Sequence, residues 1–228
     1  MGRLIGNAIY ERLSRRYSVR LEEFVAPRLR GVSLYEFIVA VMLSQNTSDE
    51  NAWRAYVNLK KELGSVTPES VLKLSERELA ELIKPAGMQN QRAARIRELA
   101  RAFLSTDVDA ALKSLLSSGR LEEARSMLME MPGVGPKTAD VALLMYYGAP
   151  TFPVDTHIAR ITRRLGYVEK GDYEAVRKFW MENTSPELYL PLHLLLIAHG
   201  RETCKARKPL CGNCVIRSFC AHGGGRAS

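Results

Sequence analysis

The chain has 228 residues, 46% of them hydrophobic, enough for a substantial core in one large or two small domains. Its net charge of +8, from 33 Lys and Arg against 25 acids, favours a polyanionic partner, nucleic acid first, through counterion release. No apolar run approaches the roughly twenty residues of a membrane span, and Arg3, Glu11, Arg12, Arg15 and Arg16 interrupt the N-terminus, so an intracellular protein without a span or secretory leader is expected.

Helix punctuation recurs along the chain. Ser33-Leu34-Tyr35-Glu36 has the form of a capping box opening an apolar helix over 34–43. Ser44-Gln45-Asn46-Thr47 then exposes amides at a turn, suited either to capping or to probing a base stack. Ser48-Asp49-Glu50 places a cap and two acids at the head of a helix ending near Leu63, where Gly64 stops it. Thr67-Pro68-Glu69 and Ser75-Glu76-Arg77-Glu78 start two more. Helical apolar spacing continues over about 91–103, 121–130, 137–147, 157–165, 173–182 and 188–199, with no strand pattern and no repeat, so the predicted fold class is all-α. The loop Gly148-Ala149-Pro150-Thr151-Phe152-Pro153 marks a boundary between two helical lobes, and 223–228 reads as a mobile tail.

Three segments carry chemistry. Met131-Pro132-Gly133-Val134-Gly135-Pro136-Lys137-Thr138 bends a hairpin straight into a helix, and amides at such a turn bind phosphate without reading a base. Lys137, at the helix start, is expected to have a lowered pKa, because the dipole and any desolvation disfavour its ammonium form. A partly neutral amine there attacks carbon. Val154-Asp155-Thr156-His157 follows, in which Asp155 fits the N-cap of the next helix and also fits a carboxylate working with an amine on a sugar. His157 and His199 read as structural. All four cysteines, Cys204, Cys211, Cys214 and Cys220, fall in one C-terminal stretch spaced C-x6-C-x2-C-x5-C. Four thiolates suit tetrahedral zinc or a [4Fe-4S] cluster, and this spacing tilts toward iron and sulfur.

Together, Pro132-Gly133-Val134-Gly135-Pro136-Lys137-Thr138-Ala139, Val154-Asp155-Thr156-His157 and His199-Gly200-Arg201 leading into the cysteines resemble the endonuclease III family of helix-hairpin-helix DNA glycosylases, in order and over nearly the whole chain. The resemblance implies a [4Fe-4S] cluster on the four cysteines. It also implies two helical lobes: a six-helix barrel over 28–149, with the helix-hairpin-helix at about 121–147, and a cluster domain from 1–27 and 150–228, with its cluster loop at 204–220. The family's active site lies in the cleft between such lobes. Lys137 corresponds to the lysine that attacks C1′ of a damaged nucleotide and forms a Schiff base, and Asp155 to the catalytic aspartate. The implied activity is base-excision repair by a bifunctional glycosylase and AP lyase acting on oxidised pyrimidines. Its implied partner is double-stranded DNA with a damaged base or abasic site, met by an intracellular, cytoplasmic or nucleoid-associated monomer.

Gly133, Val134 and Gly135 would hold phosphate, and Lys205, Arg207 and Lys208 resemble the family's DNA-contacting cluster loop. The wedge residues depart from the family pattern. Ser44-Gln45-Asn46-Thr47-Ser48-Asp49 stands where bacterial relatives have Ser-Ala-Gln-Ala-Thr-Asp, which puts Asn46 at the gap-filling glutamine with Gln45 one residue away. Met88, in Gly87-Met88-Gln89-Asn90, stands where a leucine is usual. Two other functions compete: a monofunctional mismatch glycosylase for thymine or adenine, whose relatives usually carry Tyr or Ser in place of Lys137, and a non-catalytic DNA-binding protein.

Overall fold

A computed structural model of the chain describes residues 4–29, 31–169 and 171–224. Arg3 and the tail residues 225–228 lie outside the described residues. Among the described residues no strand occurs, and the fold is all-α. In chain order the helices are α1 (Ile5–Ser14), α2 (Val25–Arg28), α3 (Leu34–Leu43), α4 (Asp49–Leu63), α5 (Pro68–Lys73), α6 (Glu76–Ile83) and α7 (Gln89–Ser105). They continue with α8 (Val108–Ser117), α9 (Leu121–Met129), α10 (Pro136–Val141), α11 (Thr156–Leu165), α12 (Tyr173–Asn183) and α13 (Tyr189–Glu202). The chain divides into two compact units, Leu21–Ala149 and Met1–Arg20 with Pro150–Ser228. No described helix is long and apolar enough to cross a membrane.

In the Leu21–Ala149 unit, α3 is the central rod, and all of its residues are buried. Its side chains are apolar apart from Tyr35 and Glu36, so burying every face gains hydrophobic free energy. Glu36 is the charged exception, and it corrects one expectation. Ser33 caps α3 by accepting from the Glu36 amide at 3.2 Å, but the returning arm of the capping box is not made. The Glu36 carboxylate instead accepts from the Tyr56 hydroxyl and the Lys60 ammonium, each at 2.6 Å, which compensates a buried charge. Complete capping boxes form at Thr67 with Ser70 and at Ser75 with Glu78. Gly64 ends α4 at φ +69, a left-handed conformation that glycine adopts without strain.

The expected helix over 137–147 is broken in geometry. It runs as α10 and then widens into a π turn at Ala142–Tyr146. Tyr146, its last residue, packs on Phe37, and Tyr147 just after it donates to Asp109 at 2.7 Å. Three helices escape a reading by apolar period, α1, the four-residue α2 and α8, the last capped by Asp107, which accepts from the Ala110 amide at 3.0 Å.

The other unit is knit from both chain ends. Asn7 on α1 donates to Ser185 Oγ at 2.8 Å and accepts from the Ser185 amide at 2.9 Å. Gly6 permits the close approach, since a Cβ there would lie 1.9 Å from Thr184 Oγ1. Ile9 and Leu13 are fully buried, and the buried Phe152 stacks on Trp180 with ring centroids 5.6 Å apart. The indole of Trp180 is satisfied by donating to Thr162 Oγ1 at 2.8 Å. Of the expected tail, Gly223 is held by Arg217, whose Nε donates to its carbonyl at 2.9 Å.

Candidate active site and metal centre

The hairpin is built by α9 and α10. Arg125 on α9 and Asp140 on α10 are both buried, and Arg125 Nε donates to both carboxylate oxygens at 3.2 Å. This pair clamps the two arms together. Gly133 takes φ +79 between them, a left-handed conformation that glycine adopts without strain, and its bare Cα lets the Met42 side-chain tip on α3 pack close. Val134 is buried and its amide donates to the Met131 carbonyl at 3.1 Å, which closes the turn. Gly135 is exposed as the N-cap of α10, with Pro136 as the first helical residue and Lys137, half-buried, as the second.

Asp155 takes the capping role allowed for it. It is the N-cap of α11, and its Oδ1 accepts from the Ile158 amide at 2.8 Å. The cap orients the carboxylate at the positive end of a helix, where negative charge is favoured. His157 Nδ1 lies 3.0 Å from Arg160 Nη2, and His199 is buried, with its pKa pushed down to about 4 by that burial.

The turn after α3 separates Gln45 from Asn46. Gln45 Nε2 donates to the Gly133 carbonyl at 3.3 Å and to Thr138 Oγ1 at 3.1 Å, so its amide belongs to the hairpin. Asn46 is exposed. Among the described residues, only Asn46, Met88 and Lys208 adopt positive φ without being glycine, at 53, 50 and 52 degrees. All three are residues singled out for DNA contact by sequence. Left-handed backbone at an exposed Met that is 54% accessible costs free energy that local packing does not repay, and such strain concentrates at functional sites.

The cysteine centre lies in the unit formed by both chain ends. Cys204, Cys211, Cys214 and Cys220 line one cavity, together with Arg164, Leu210 and Arg217. Among the described residues no three Cys, His, Asp or Glu side chains converge as ligands of one metal ion. Four soft thiolate donors lining one cavity fit an iron-sulfur cluster, whose irons thiolates hold. Burial pushes the Cys214 thiol up to about 11, so the thiolate forms as metal binds.

The surroundings are built for these sulfurs. Arg164 on α11 donates to Cys204 Sγ at 3.3 Å and to the Lys205 and Ala206 carbonyls at 2.7 and 3.0 Å. Arg160, one turn earlier, holds the Cys204 carbonyl. His199 Nε2 lies 3.6 Å from Cys214 Sγ, while its Nδ1 lies 2.9 Å from the Tyr17 hydroxyl. Lys205, Arg207 and Lys208 stay exposed on the loop so held. Sequence reading missed Arg92, Arg125, Asp140, Arg160 and Arg164. Two arginines four residues apart on α11 were a signal for a basic helical face, though not for its partners.

Residues 39–186 match the model of the HhH-GPD superfamily of base excision DNA repair proteins, and residues 204–220 match the iron-sulfur binding domain of endonuclease III. The chain is 34% identical over 221 residues to endonuclease III of Sulfolobus acidocaldarius, covering 96% of each. It is 34% identical over 190 residues to that of Escherichia coli K12, covering 83% of this chain and 84% of the relative. A solved structure of a trapped endonuclease III-DNA covalent intermediate superposes with a TM-score of 0.75 at 26% identity, covering 96% of this chain and 97% of that one. With hairpin, cysteine centre and these matches in agreement, the chain belongs to the endonuclease III family of DNA-binding, [4Fe-4S]-containing base-excision glycosylases and AP lyases.

Proposed function

We propose that this protein removes oxidised pyrimidines from duplex DNA and cuts the strand at the resulting abasic site, with Lys137 as nucleophile and Asp155 as its carboxylate partner. The observation that carries this reading is the position of Lys137, second residue of α10, directly after Gly133–Gly135 and on an arm clamped by Arg125 and Asp140. The hairpin backbone fixes a phosphate, and the amine is delivered to the adjoining deoxyribose.

The lone pair of the Lys137 amine forms a bond to C1′ as the glycosidic bond breaks, and the base leaves with that electron pair and takes up a proton. Asp155 stabilises the positive charge developing on the sugar and moves protons. Ring opening gives an iminium at C1′. Loss of a C2′ proton then expels the 3′ phosphate, and water releases the lysine. The target base must first leave the stack, at a cost of a few kcal/mol that damage reduces.

Gly133, Val134 and Gly135 meet phosphate through the backbone. Asn46 and Met88 enter the duplex beside the flipped nucleotide, Gln45 stays with the hairpin, and Lys205, Arg207 and Lys208 add cationic contacts. Cys204, Cys211, Cys214 and Cys220 hold the [4Fe-4S] cluster, which supplies the bonds that shape this basic loop. The barrel is assigned to 28–149 and the cluster domain to 1–27 with 150–228. The compact units, which part at Arg20 and Ala149, support that division with its first boundary moved to 20. The enzyme works as a monomer at the nucleoid.

Borohydride trapping tests the chemistry. Native protein on a duplex containing an abasic site or thymine glycol gives a covalent adduct, Lys137→Ala gives none, and Asp155→Asn slows base release by about 100-fold or more. Base release by native protein with no trapped adduct would replace this reading with the monofunctional one.

A further inference from the structure

Arg92 is a buried arginine on the first turn of α7 that the mechanism above does not use, 6% exposed. Its guanidinium reaches four backbone carbonyls. Nη1 donates to the Met42 carbonyl, Nη2 donates to Gln45 O at 2.9 Å and Ala86 O at 3.4 Å, and Nε donates to Gly87 O at 3.2 Å. Met42 belongs to the last turn of α3, and Ala86 ends the 3₁₀ turn Lys84–Ala86. The guanidinium thus caps two helical C-termini, where carbonyls lack intrahelical partners and the dipole is negative, which makes burial of its charge tolerable.

Each pair of carbonyls flanks one strained residue. Met42 and Gln45 lead into Asn46, and Ala86 and Gly87 lead into Met88. The Arg92 amide also donates to the Met88 carbonyl at 3.0 Å. Four carbonyls on two turns are spanned by one planar fork, a geometry that a lysine ammonium cannot reproduce. Gly87 sits at φ 71 and ψ 170, a conformation open essentially to glycine alone, so the Met88 turn is over-determined from both sides.

We propose that Arg92 is a positioning residue for duplex opening, holding the Asn46 and Met88 turns at the spacing needed to enter DNA together. This rests on the reading that Asn46 and Met88 enter the duplex, and the experiment separates the two claims. Borohydride-trapping rates are measured on a duplex with an abasic site and on the same nucleotide placed in an unpaired bubble, where no opening is required. Arg92→Lys keeps the charge and loses the fork. It should slow trapping at least tenfold on the duplex and less than twofold in the bubble.

Gly87→Ala, which meets no atom within 4 Å and acts only through backbone strain, should show the same selective loss if Arg92→Lys proves too unstable to purify. In an Asn46→Ala/Met88→Ala background, Arg92→Lys should add less than twofold. A merely structural role would lower both substrates equally, and that result overturns the proposal. If Asn46→Ala and Met88→Ala show duplex-selective losses while Arg92→Lys and Gly87→Ala do not, the wedge reading survives and the role of Arg92 falls. If the Asn46 and Met88 variants show no selectivity, both fall.

Discussion

Replacing Asp140 by alanine should destabilise the protein through Arg125. Asp140 has no exposed surface, the Arg125 side chain is 8% exposed, and Arg125 Nε lies 3.2 Å from both carboxylate oxygens. Removing one partner of such a pair weakens the compensation of a buried charge, at a cost of up to about 3–5 kcal/mol. Glu122, 4.0 Å from Arg125 but 63% exposed, recovers part of this, which places the loss near the lower figure. At about 2–4 °C per kcal/mol for a chain of this size, Tm should fall by roughly 6–12 °C. Thermal melts by circular dichroism read the shift directly. Arg125→Met/Asp140→Leu, which removes both charges and keeps apolar volume, should melt within a few degrees of native, since a buried pair and its hydrophobic replacement are close in free energy. A single Asp140→Ala variant melting within about 2 °C of native, or a double variant falling as far as the single, would refute the claim that charge compensation clamps the hairpin.

Two further outcomes follow from local chemistry. Burial works against the Asp109 carboxylate, but hydrogen bonds from Lys113 and Tyr147, each 2.7 Å long, outweigh it and hold its pKa below the ordinary 3.8. A carboxyl lowered on folding stabilises above its unfolded pKa and loses that contribution as pH falls through the folded value. Urea denaturation should therefore show Asp109→Asn less stable than native at pH 7, by under about 1 kcal/mol because the side chain is 35% exposed, with the two converging toward pH 3; a constant gap would contradict this. Cys211→Ser should lose iron and visible thiolate-to-iron absorption together, and metal analysis finding stoichiometric zinc in the native protein would reverse the assignment of the centre.

Much of the fold is legible because helix ends are written in chemistry three or four residues apart. Ser48, Thr67 and Ser75 cap as their neighbours require, and Gly64 stops α4 because only it tolerates that φ. Glu36 breaks this rule. Its local pattern matches a capping box, but Tyr56 and Lys60, 20 and 24 residues away, offer a buried carboxylate better partners than one backbone amide. The π turn after α10 was hidden for a similar reason. Its apolar residues keep a helical period, and nothing in that period records where Tyr147 must reach Asp109.

At the candidate site, the sequence by itself determined the donors. A hairpin that places Lys137 at a helix start, an aspartate at the next helix cap and four clustered cysteines are all encoded within a few residues, because turns, caps and ligand spacing are short-range constraints. Only the tertiary structure decided what surrounds them. It assigned the Gln45 amide to partners 88 and 93 residues away, left Asn46 exposed beside it, and paired Arg125 with Asp140 across the hairpin. It also drew four carbonyls from two turns onto Arg92. Buried polar groups take whichever partners packing brings within hydrogen-bond reach, and that choice leaves no periodic mark along the chain.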